Sequence, residues 1–368
     1  MSLTLSLEER VGQLCCFGWH GRTCLDEQAR VCVQELHAGA MVVMGRNLHD
    51  TTQRPLPQID APAVRAMLDA LQALAKTPLL IATDQEGGRV ARFGTAPFTP
   101  APAAAALEST EAAYASALQT GRELATVGVN MNFAPVADIN SNPENPVIGD
   151  RSFGTTPEAV TPKLLAQLQG YTDSGILSCL KHFPGHGDTS TDSHFLLPTL
   201  PHTLATLEAR ELAPFRAGIA AGAPAVMTAH ILFPALDTAL PATMSPAILT
   251  GLLRETLGFQ GLIVTDCLEM RAVADHWGTA QAALAAVKAG ADLVLVCHTL
   301  ERQRETYETL LAAARSGELS EARLNEAVTR VLAAKARVTS VPFDPTLLGG
   351  TQHATAATTL GSEAPRLS

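Results

Sequence analysis

The stretch GLIVTDCLEMRAVADHWGTAQAALAAVKAGADLVLVCH, at positions 261–298, holds the pattern that decides the fold. It starts with a short apolar run at 261–266, continues into a segment of helical periodicity at 279–289 and ends with a second apolar run at 292–297. Near-continuous apolar strands are typical of parallel sheets, because helices cover both faces of such sheets. The stretch therefore predicts two parallel strands joined by a helix.

The same alternation continues along the rest of the chain. Apolar runs predict eight strands, at 12–19, 40–45, 79–84, 127–138, 176–184, 223–230, 261–266 and 292–297. Helical periodicity predicts helices at 64–75, 110–127, 157–174, 203–221, 245–257, 279–289 and 299–316. Eight strand–helix units favour a closed (β/α)8 barrel over an open doubly wound sheet. A nucleotide-binding sheet is disfavoured further, because no strand is followed by GxGxxG or by a GxxxxGK loop.

The sequence predicts one catalytic domain of the α/β class. Residues 1–340 are predicted to form a single (β/α)8 barrel. Positions 341–368 are rich in Thr, Ala, Pro and Gly and lack apolar periodicity. We therefore expect a C-terminal tail there that wraps around the barrel or is partly disordered.

Polar side chains fall at the carboxyl end of nearly every predicted strand. They are Arg46, Asn47, Asp84, Asp138, Lys181, His182, His230, Asp266 and His298. In a (β/α)8 barrel these strand ends converge on one face, which is where such enzymes place their active site. The pattern therefore predicts an enzyme with its site at that face.

Composition disfavours several classes of partner. The chain has 368 residues, 46% hydrophobic and 17% charged, with a formal net charge of -10. An acidic chain is poorly suited to phosphate backbones or anionic lipid, so we expect no nucleic-acid and no membrane partner. The first residues lack the basic segment of a secretory signal, and the seven cysteines form no CxxC pair. We therefore expect a cytoplasmic protein with reduced thiols. The sequence predicts no particular oligomeric state.

The segment KHFPGHGDTSTDSH at 181–194 is the densest group of chemically active side chains, with three histidines, two aspartates and one lysine. Its glycines and proline indicate a loop after a strand. One interpretation is a metal site, since His and Asp are good ligands for divalent ions. Another is a catalytic loop in which Asp192 fixes the tautomer of His194 for proton transfer. A histidine-rich surface loop without a role is the third.

This string resembles the signature of glycoside hydrolase family 3, and its polar ending DTSTDSH is similar to that of the β-N-acetylglucosaminidase branch. Other segments agree with the family in order and spacing: TDQEGGRVARF at 83–93, NFAPVAD at 132–138, RSF at 151–153, VMTAH at 226–230, PATMS at 241–245 and VTDCLEM at 264–270. The resemblance runs from about Leu7 to about Val338.

The resemblance implies an exo-acting, retaining hydrolase of terminal non-reducing β-linked N-acetylglucosamine. The implied substrates are small carbohydrates or muropeptide fragments from cell-wall recycling, and no cofactor or metal is implied. It gives Asp266 the role of nucleophile and His194 that of acid and base, with Asp192 as partner of the histidine. The sugar-binding residues are Asp84, Arg92, Arg151, Lys181, His182 and His230. One departure is Cys267, which stands where the family pattern leads us to expect Ala or Asp.

Elementary chemistry supports the two central roles. A retaining glycosidase needs a carboxylate nucleophile and a second group that protonates the leaving oxygen. Asp266 ends an apolar run, where a carboxylate is costly to bury without a role, although it is also placed to cap the next helix. His194 suits proton transfer because the pKa of an imidazole lies near neutrality.

Structural alternatives remain for the predicted binding residues. They are a wall ion pair for Asp84, solvated surface charges for Arg151 and Lys181, buried core histidines for His182 and His230, and a loop-shaping role for His186. Three rival functions also remain. They are a family 3 β-glucosidase or β-xylosidase, a catalytically inactive sugar-binding barrel, and a metal-dependent amidohydrolase built on His182, His186 and His194 with Asp266 as a further ligand.

Overall fold

The computed structural model describes residues 5–193 and 196–349. A closed barrel of eight parallel strands runs in the order β1-β2-β3-β6-β7-β8-β9-β10. The strands are β1 Cys15–Phe17, β2 Ala40–Val43, β3 Leu80–Thr83, β6 Met131–Asn132, β7 Leu177–Phe183, β8 Ala225–Thr228, β9 Leu262–Cys267 and β10 Leu293–Val296. Each lies within or overlaps one of the eight predicted apolar runs, so the predicted (β/α)8 barrel is confirmed.

Side chains alternate between two apolar layers along each strand. In β2, Ala40 and Val42 point into the barrel interior, whereas Met41 and Val43 pack against the surrounding helices. All four are buried. A strand that is buried on both faces needs apolar residues at every position, which explains why the runs are continuous rather than alternating.

Helices surround the barrel. Their bounds are Leu7–Gly12, Glu27–Arg30, Gly45–Leu48, Ala61–Leu74, Thr110–Thr126, Pro157–Asp173, Leu204–Thr206, Leu212–Ala220, Arg271–Trp277, Thr279–Ala289, Leu300–Ser316 and Glu321–Ala336, with wider π-type turns at Val31–Glu35, Leu207–Glu211 and Ala247–Thr256. No helix in the described ranges is long and apolar enough to cross a membrane.

The helix Glu321–Ala336, which the periodicity analysis did not single out, closes the amino-terminal end of the barrel. Its Val331 and Ala334 pack into the same apolar cluster as the inward-facing strand residues. Beside them the Lys335 ammonium donates to Gln13 Oε1 at 2.5 Å. With this end closed by a helix, access to the barrel interior lies at the opposite face, where the strands end.

The predicted strand at 127–138 is much shorter in the structure. Only Met131–Asn132 pairs as a regular strand, because the preceding helix extends to Thr126 and Gly128 turns the chain with φ 95°. Beyond Asn132, Pro135 has no N–H to donate to a ladder. The segment still runs beside β7, since Ala137 N–H donates to Lys181 O at 2.7 Å.

An antiparallel hairpin, which the sequence analysis did not predict, follows β3. Its strands are β4 Gln85–Gly87 and β5 Val90–Ala91. Gly87 has φ 109°, and a Cβ there would lie 2.1 Å from Pro102 O, so no other residue fits this turn. The hairpin returns Arg92 to Asp84, where the guanidinium lies 3.3 Å from the carboxylate.

The segment after residue 340 crosses the outside of the barrel. Val341 O accepts a hydrogen bond from Arg65 at 2.8 Å, and Asp344 N–H donates to Thr126 Oγ1 at 2.6 Å. Gly349 N–H donates to Glu123 at 3.0 Å. Positions 350–368 lie outside the described residues, and the domain boundary at 340 stays a prediction.

Candidate functional site

Six of the predicted site residues meet at one cavity of about 150 Å³ at the carboxyl ends of the strands. They are Asp84, Arg92, Arg151, Lys181, His182 and Asp266. Five of the six are charged groups that a barrel wall does not need for packing, and their convergence fits the site expected at this face. Their individual roles stay predictions.

Opposite charges pair closely in the wall of this cavity. Lys181 Nζ lies 3.0 Å from Asp84 Oδ1 and 2.6 Å from Glu86 Oε1. Arg151 holds the same Glu86 carboxylate with two bonds of 2.8 Å, one from Nε and one from Nη2. The Glu86 side chain is only 5% exposed and that of Lys181 only 3%. The network therefore lies in a region where charge-assisted hydrogen bonds are strong.

The pKa values of these groups are shifted so that the charged forms are favoured. Burial raises the pKa of Asp84, but Lys181 and Arg92 more than offset it, so the net pKa is below the usual range. Burial also raises the pKa of Glu86, but Arg151 and Lys181 lower it more strongly, so the net pKa is far below the usual value. Burial lowers the pKa of Lys181, while Glu86 and Asp84 raise it above the usual value. All of these groups are therefore ionised at neutral pH.

Asp138 holds the orientation of His182. The Asp138 carboxylate is fully buried and lies 2.7 Å from His182 Nδ1, and it also accepts the backbone N–H of His182 and of His186. Because an ionised carboxylate only accepts, Nδ1 carries a proton. In the neutral ring Nε2 is then the acceptor, which agrees with Arg151 Nη2 at 3.4 Å. His182 thus presents a fixed ring edge to the cavity.

The loop after β7 folds over this cavity and is tied down by His186. One ring nitrogen lies 3.0 Å from Thr189 Oγ1 and the other 2.9 Å from Ser193 Oγ. Burial and the nearby His182 lower the pKa of His186 to about 4, so the ring stays neutral and rigidly bonded. These contacts support the loop-shaping interpretation, and Ser193 itself lines the cavity.

The two proposed proton-transfer residues lie at the end of this loop. Asp192 is part of the described chain, and its carbonyl accepts from Leu196 N–H at 3.0 Å. His194 lies outside the described residues. Its chain neighbour Ser193 is buried and lines the cavity, and the role of His194 stays a prediction.

Asp266 stands between two cavities. It ends β9 next to Cys267, whose backbone N–H donates to Asp266 Oδ1 at 2.7 Å. Besides the first cavity it lines a second, of about 300 Å³, that opens between β9 and β10. Asp84, Arg92 and Met227 also border both cavities. Asp266 therefore contributes to the surface of both cavities.

His230 is a further predicted binding residue, and it is buried after β8. It is 1% exposed and lines neither of these two cavities. Its Nδ1 lies 2.8 Å from Thr243 Oγ1 and its Nε2 lies 3.0 Å from Cys267 O. These contacts fix the backbone directly after Asp266 and agree with the core-histidine alternative, while sugar binding by His230 stays a prediction.

In the described part of the chain, no metal-ligand cluster includes His182 or His186, two of the three histidines that the rival amidohydrolase needs. Within residues 5–193 and 196–349, groups of His, Cys, Asp and Glu that could hold an ion occur at Cys267, Glu269 and His298 and at Asp188, His202 and Glu211. His182 and His186 belong to neither group, and their ring nitrogens face the partners described above.

The same chain matches a known family over most of its length. Residues 6–334 match the family model of the glycosyl hydrolase family 3 N-terminal domain. The chain belongs to glycosyl hydrolase family 3. The resemblance that the motifs indicated is therefore confirmed, and with it the enzyme class of glycoside hydrolases.

Individual family 3 members are similar along the whole barrel. Beta-hexosaminidase A of Pseudoalteromonas piscicida is 35% identical over 90% of this chain and 59% of its own length. The solved family 3 beta-N-acetylglucosaminidase of Paenibacillus sp. strain FPU-7 is 43% identical, with TM-score 0.86, over 99% of this chain and 66% of that one. Beta-N-acetylhexosaminidase of Beutenbergia cavernae is 33% identical, with TM-score 0.82, over 90% of this chain and 99% of that one. The chain thus spans less than two thirds of the first two relatives and nearly all of the third.

Glu86 is the member of this family 3 site that sequence reasoning missed. It joins Arg151 to Lys181, two residues that were predicted separately as sugar ligands. The available signal was its spacing from Asp84, because residues i and i+2 of an extended segment face the same side. Glu86 is therefore a positioning residue for the cations that line the cavity.

Replacement of Glu86 tests this role through stability. Glu86→Gln keeps the size of the side chain but leaves buried Lys181 and Arg151 short of one anion, which costs about 3–5 kcal/mol of unfolding free energy. Because folding lowers the pKa of Glu86, its contribution is present above the unfolded-state pKa and is lost as the pH falls below it. We expect the deficit to be full at pH 7 and to shrink below about pH 4.5.

Urea unfolding of both forms at several pH values measures this deficit. The matched control is Glu305→Gln, an exposed glutamate on the helix Leu300–Ser316, where a change within about 0.5 kcal/mol is expected. Equal unfolding free energies for wild type and Glu86→Gln at pH 7 would show that the carboxylate does not hold the cations.

Proposed function

We propose that this chain hydrolyses the terminal, non-reducing β-linked N-acetylglucosamine of small carbohydrates and releases the sugar with retained configuration. The observation that carries the proposal is the position of Asp266, which borders both a small charged cavity and a larger one. An exo-acting glycosidase needs this arrangement, because one sugar must be enclosed while its leaving group extends outwards. The names of the relatives support the choice of sugar.

The small cavity suits a single hydroxyl-rich ring. Asp84 is ionised and accepts hydrogen bonds from sugar hydroxyls, whereas Lys181, Arg92 and Arg151 donate to sugar oxygens. Each is held by a partner before substrate arrives, so little reorganisation accompanies binding. His182, fixed by Asp138, offers a further polar contact from the floor of the cavity.

The chemical steps follow from a sugar placed in that cavity. The Asp266 carboxylate attacks the anomeric carbon, the bond to the leaving oxygen breaks, and His194 protonates that oxygen. A covalent glycosyl-enzyme results. His194 then takes a proton from water, whose oxygen attacks the anomeric carbon and releases Asp266. Asp192 stabilises the imidazolium form of His194, which donates the proton in the first step and is regenerated when water is deprotonated in the second.

The preferred substrates in this proposal are muropeptide fragments that carry N-acetylglucosamine at the non-reducing end, inside the cytoplasm. The second cavity leaves room for the remainder of such a fragment beyond Asp266. A β-glucosidase or β-xylosidase is the rival within the family.

Sugar specificity separates these two possibilities. A site that hydrogen-bonds the 2-acetamido group leaves buried polar atoms unpaired when the group is absent, which costs up to about 10⁴–10⁵ in kcat/KM. We expect kcat/KM for an aryl β-N-acetylglucosaminide to exceed that for the matching aryl β-glucoside by several powers of ten. Release of the aryl group measures both rates. Comparable kcat/KM for the two would favour the glucosidase.

Treatment with a chelator separates hydrolysis by Asp266 from metal-dependent chemistry. If Asp266 and His194 carry the reaction, dialysis against a strong chelator does not lower turnover of the aryl N-acetylglucosaminide. Loss of activity on dialysis, with recovery on addition of one divalent ion per chain, would favour the amidohydrolase instead.

A further inference from the structure

A group of soft and hard ligand atoms lies in the wall of the second cavity, directly after the proposed nucleophile. The Cys267 thiol, the Glu269 carboxylate and the His298 ring have ligand atoms within 4.8 Å of one another. Cys267 ends β9, and His298 follows the neighbouring strand β10, so the barrel itself brings them together. None of the three takes part in the hydrolysis proposed above.

The chemistry of this group favours one class of ion. Thiolate, imidazole and carboxylate are the donors that zinc binds in sites with three protein ligands and one open position. Magnesium and calcium take oxygen ligands, so a thiol disfavours both. Two anionic ligands balance the charge of a divalent cation.

Neighbouring groups already orient two of the three side chains. The Glu269 carboxylate accepts the backbone N–H of His298 at 2.6 Å and that of Thr299 at 3.0 Å, which leaves further lone pairs on both oxygens. His298 Nδ1 lies 3.1 Å from Arg46 Nη1, a contact that orients the ring. Outer contacts of this kind are a regular feature of metal sites. The positive charge of Arg46 keeps the affinity below that of a structural zinc site.

The second cluster in the described chain lacks room for a cation. Between Asp188, His202 and Glu211 lies the guanidinium of Arg210, 2.7 Å from Asp188 and 2.5 Å from Glu211. Its Nη2 is also 3.0 Å from His202 Nε2. The place that an ion would take is thus occupied by a cation of the protein, and this cluster serves as an internal control.

We propose that Cys267, Glu269 and His298 form an inhibitory binding site for zinc or another thiophilic divalent cation. An ion held there stands beside Asp266, because Cys267 is bonded through its N–H to that carboxylate and lines the same cavity. It blocks the space that the leaving group of the substrate needs. Zinc binding at this site does not depend on the proposed function, whereas the inhibition rests on it.

Direct titration tests the binding. The full chain is stripped with a chelator, dialysed and titrated with zinc chloride in a non-coordinating buffer by calorimetry. We expect one zinc per chain, an affinity at least about 100-fold weaker in Cys267→Ala, and one at least about 10-fold weaker in His298→Ala. His298 is exposed, so the second variant leaves the fold intact even if the first does not. Cobalt offered in place of zinc should give a thiolate-to-metal absorption band that Cys267→Ala lacks.

Matched controls decide where the ion lies. Cys24→Ala removes an exposed cysteine and His202→Ala alters the second cluster, and both should bind zinc as the wild type does. Absence of binding, equal binding in Cys267→Ala, or loss of binding in His202→Ala would each overturn the assignment.

Activity measurements test the inhibition separately. Zinc should suppress turnover of the aryl N-acetylglucosaminide and a chelator should restore it, while each variant is compared with its own zinc-free rate. Zinc bound at Cys267 with undiminished turnover would overturn the inhibitory role. Zinc binding in a chain that cleaves no glycoside would leave the site standing and remove the proposed function.

Discussion

Asp266→Ala is expected to lower kcat for every glycoside substrate by at least about 10⁴-fold, because removal of a nucleophile abolishes both halves of the reaction. The loss should be the same for good and poor leaving groups, since neither can form the covalent intermediate. Binding of the free sugar should change much less, because Asp84, Lys181 and Arg151 line the enclosed cavity independently of Asp266. Steady-state kinetics and calorimetry with N-acetylglucosamine measure the two effects.

The matched control for this variant is Asp69→Ala. Asp69 is exposed on the helix Ala61–Leu74 and forms an ion pair with Arg65 one turn away, outside both cavities. Its replacement should leave kcat unchanged. A kcat for Asp266→Ala within tenfold of the wild type would refute the nucleophile assignment.

His194→Ala is expected to have the second largest effect, and one that depends on the leaving group. Cleavage of a natural disaccharide should fall by about 10²–10⁴-fold, because its poor leaving group needs a proton. A dinitrophenyl glycoside should enter the first step almost normally and then stall at the glycosyl-enzyme, since no base activates water. Azide should restore its turnover, because an anion attacks without a base.

Asp192→Ala should reproduce this pattern in milder form, since Asp192 acts through His194. The exposed His276→Ala, which lies on the helix Arg271–Trp277, serves as the matched control and should show no change on either substrate. Equal losses on both leaving groups, together with no rescue by azide, would mean that His194 only contacts the substrate.

The fold could be predicted from the sequence because barrel strands are buried on both faces. Runs such as 292–297 are apolar at every position, and the structure places β10 Leu293–Val296 within that run. The hairpin β4–β5 was not accessible in this way, because Gln85, Glu86 and Gly87 carry no apolar pattern. The Glu86 carboxylate pairs with Arg151 and with Lys181, both far along the chain, and a single sequence does not display such long-range pairing.

Barrel topology explains why some of the predicted site residues lie together, whereas the direction of individual rings depends on tertiary contacts. Asp84, Lys181 and Asp266 sit at strand ends, and the barrel topology alone brings them together. His230 occupies the same kind of position, yet its ring turns towards Thr243 and Cys267 O. The direction of a ring is set by hydrogen bonds across neighbouring strands, which periodicity does not encode.

Trapping of the covalent intermediate tests the central claim most directly. A slowly turned-over fluorinated N-acetylglucosamine donor with a good leaving group should form a glycosyl-enzyme that survives proteolysis. Peptide mass spectrometry should then find the added sugar on the peptide that contains Asp266, one label per chain. A label on the peptide of Asp84 or Asp138, or complete turnover without any covalent adduct, would contradict the account.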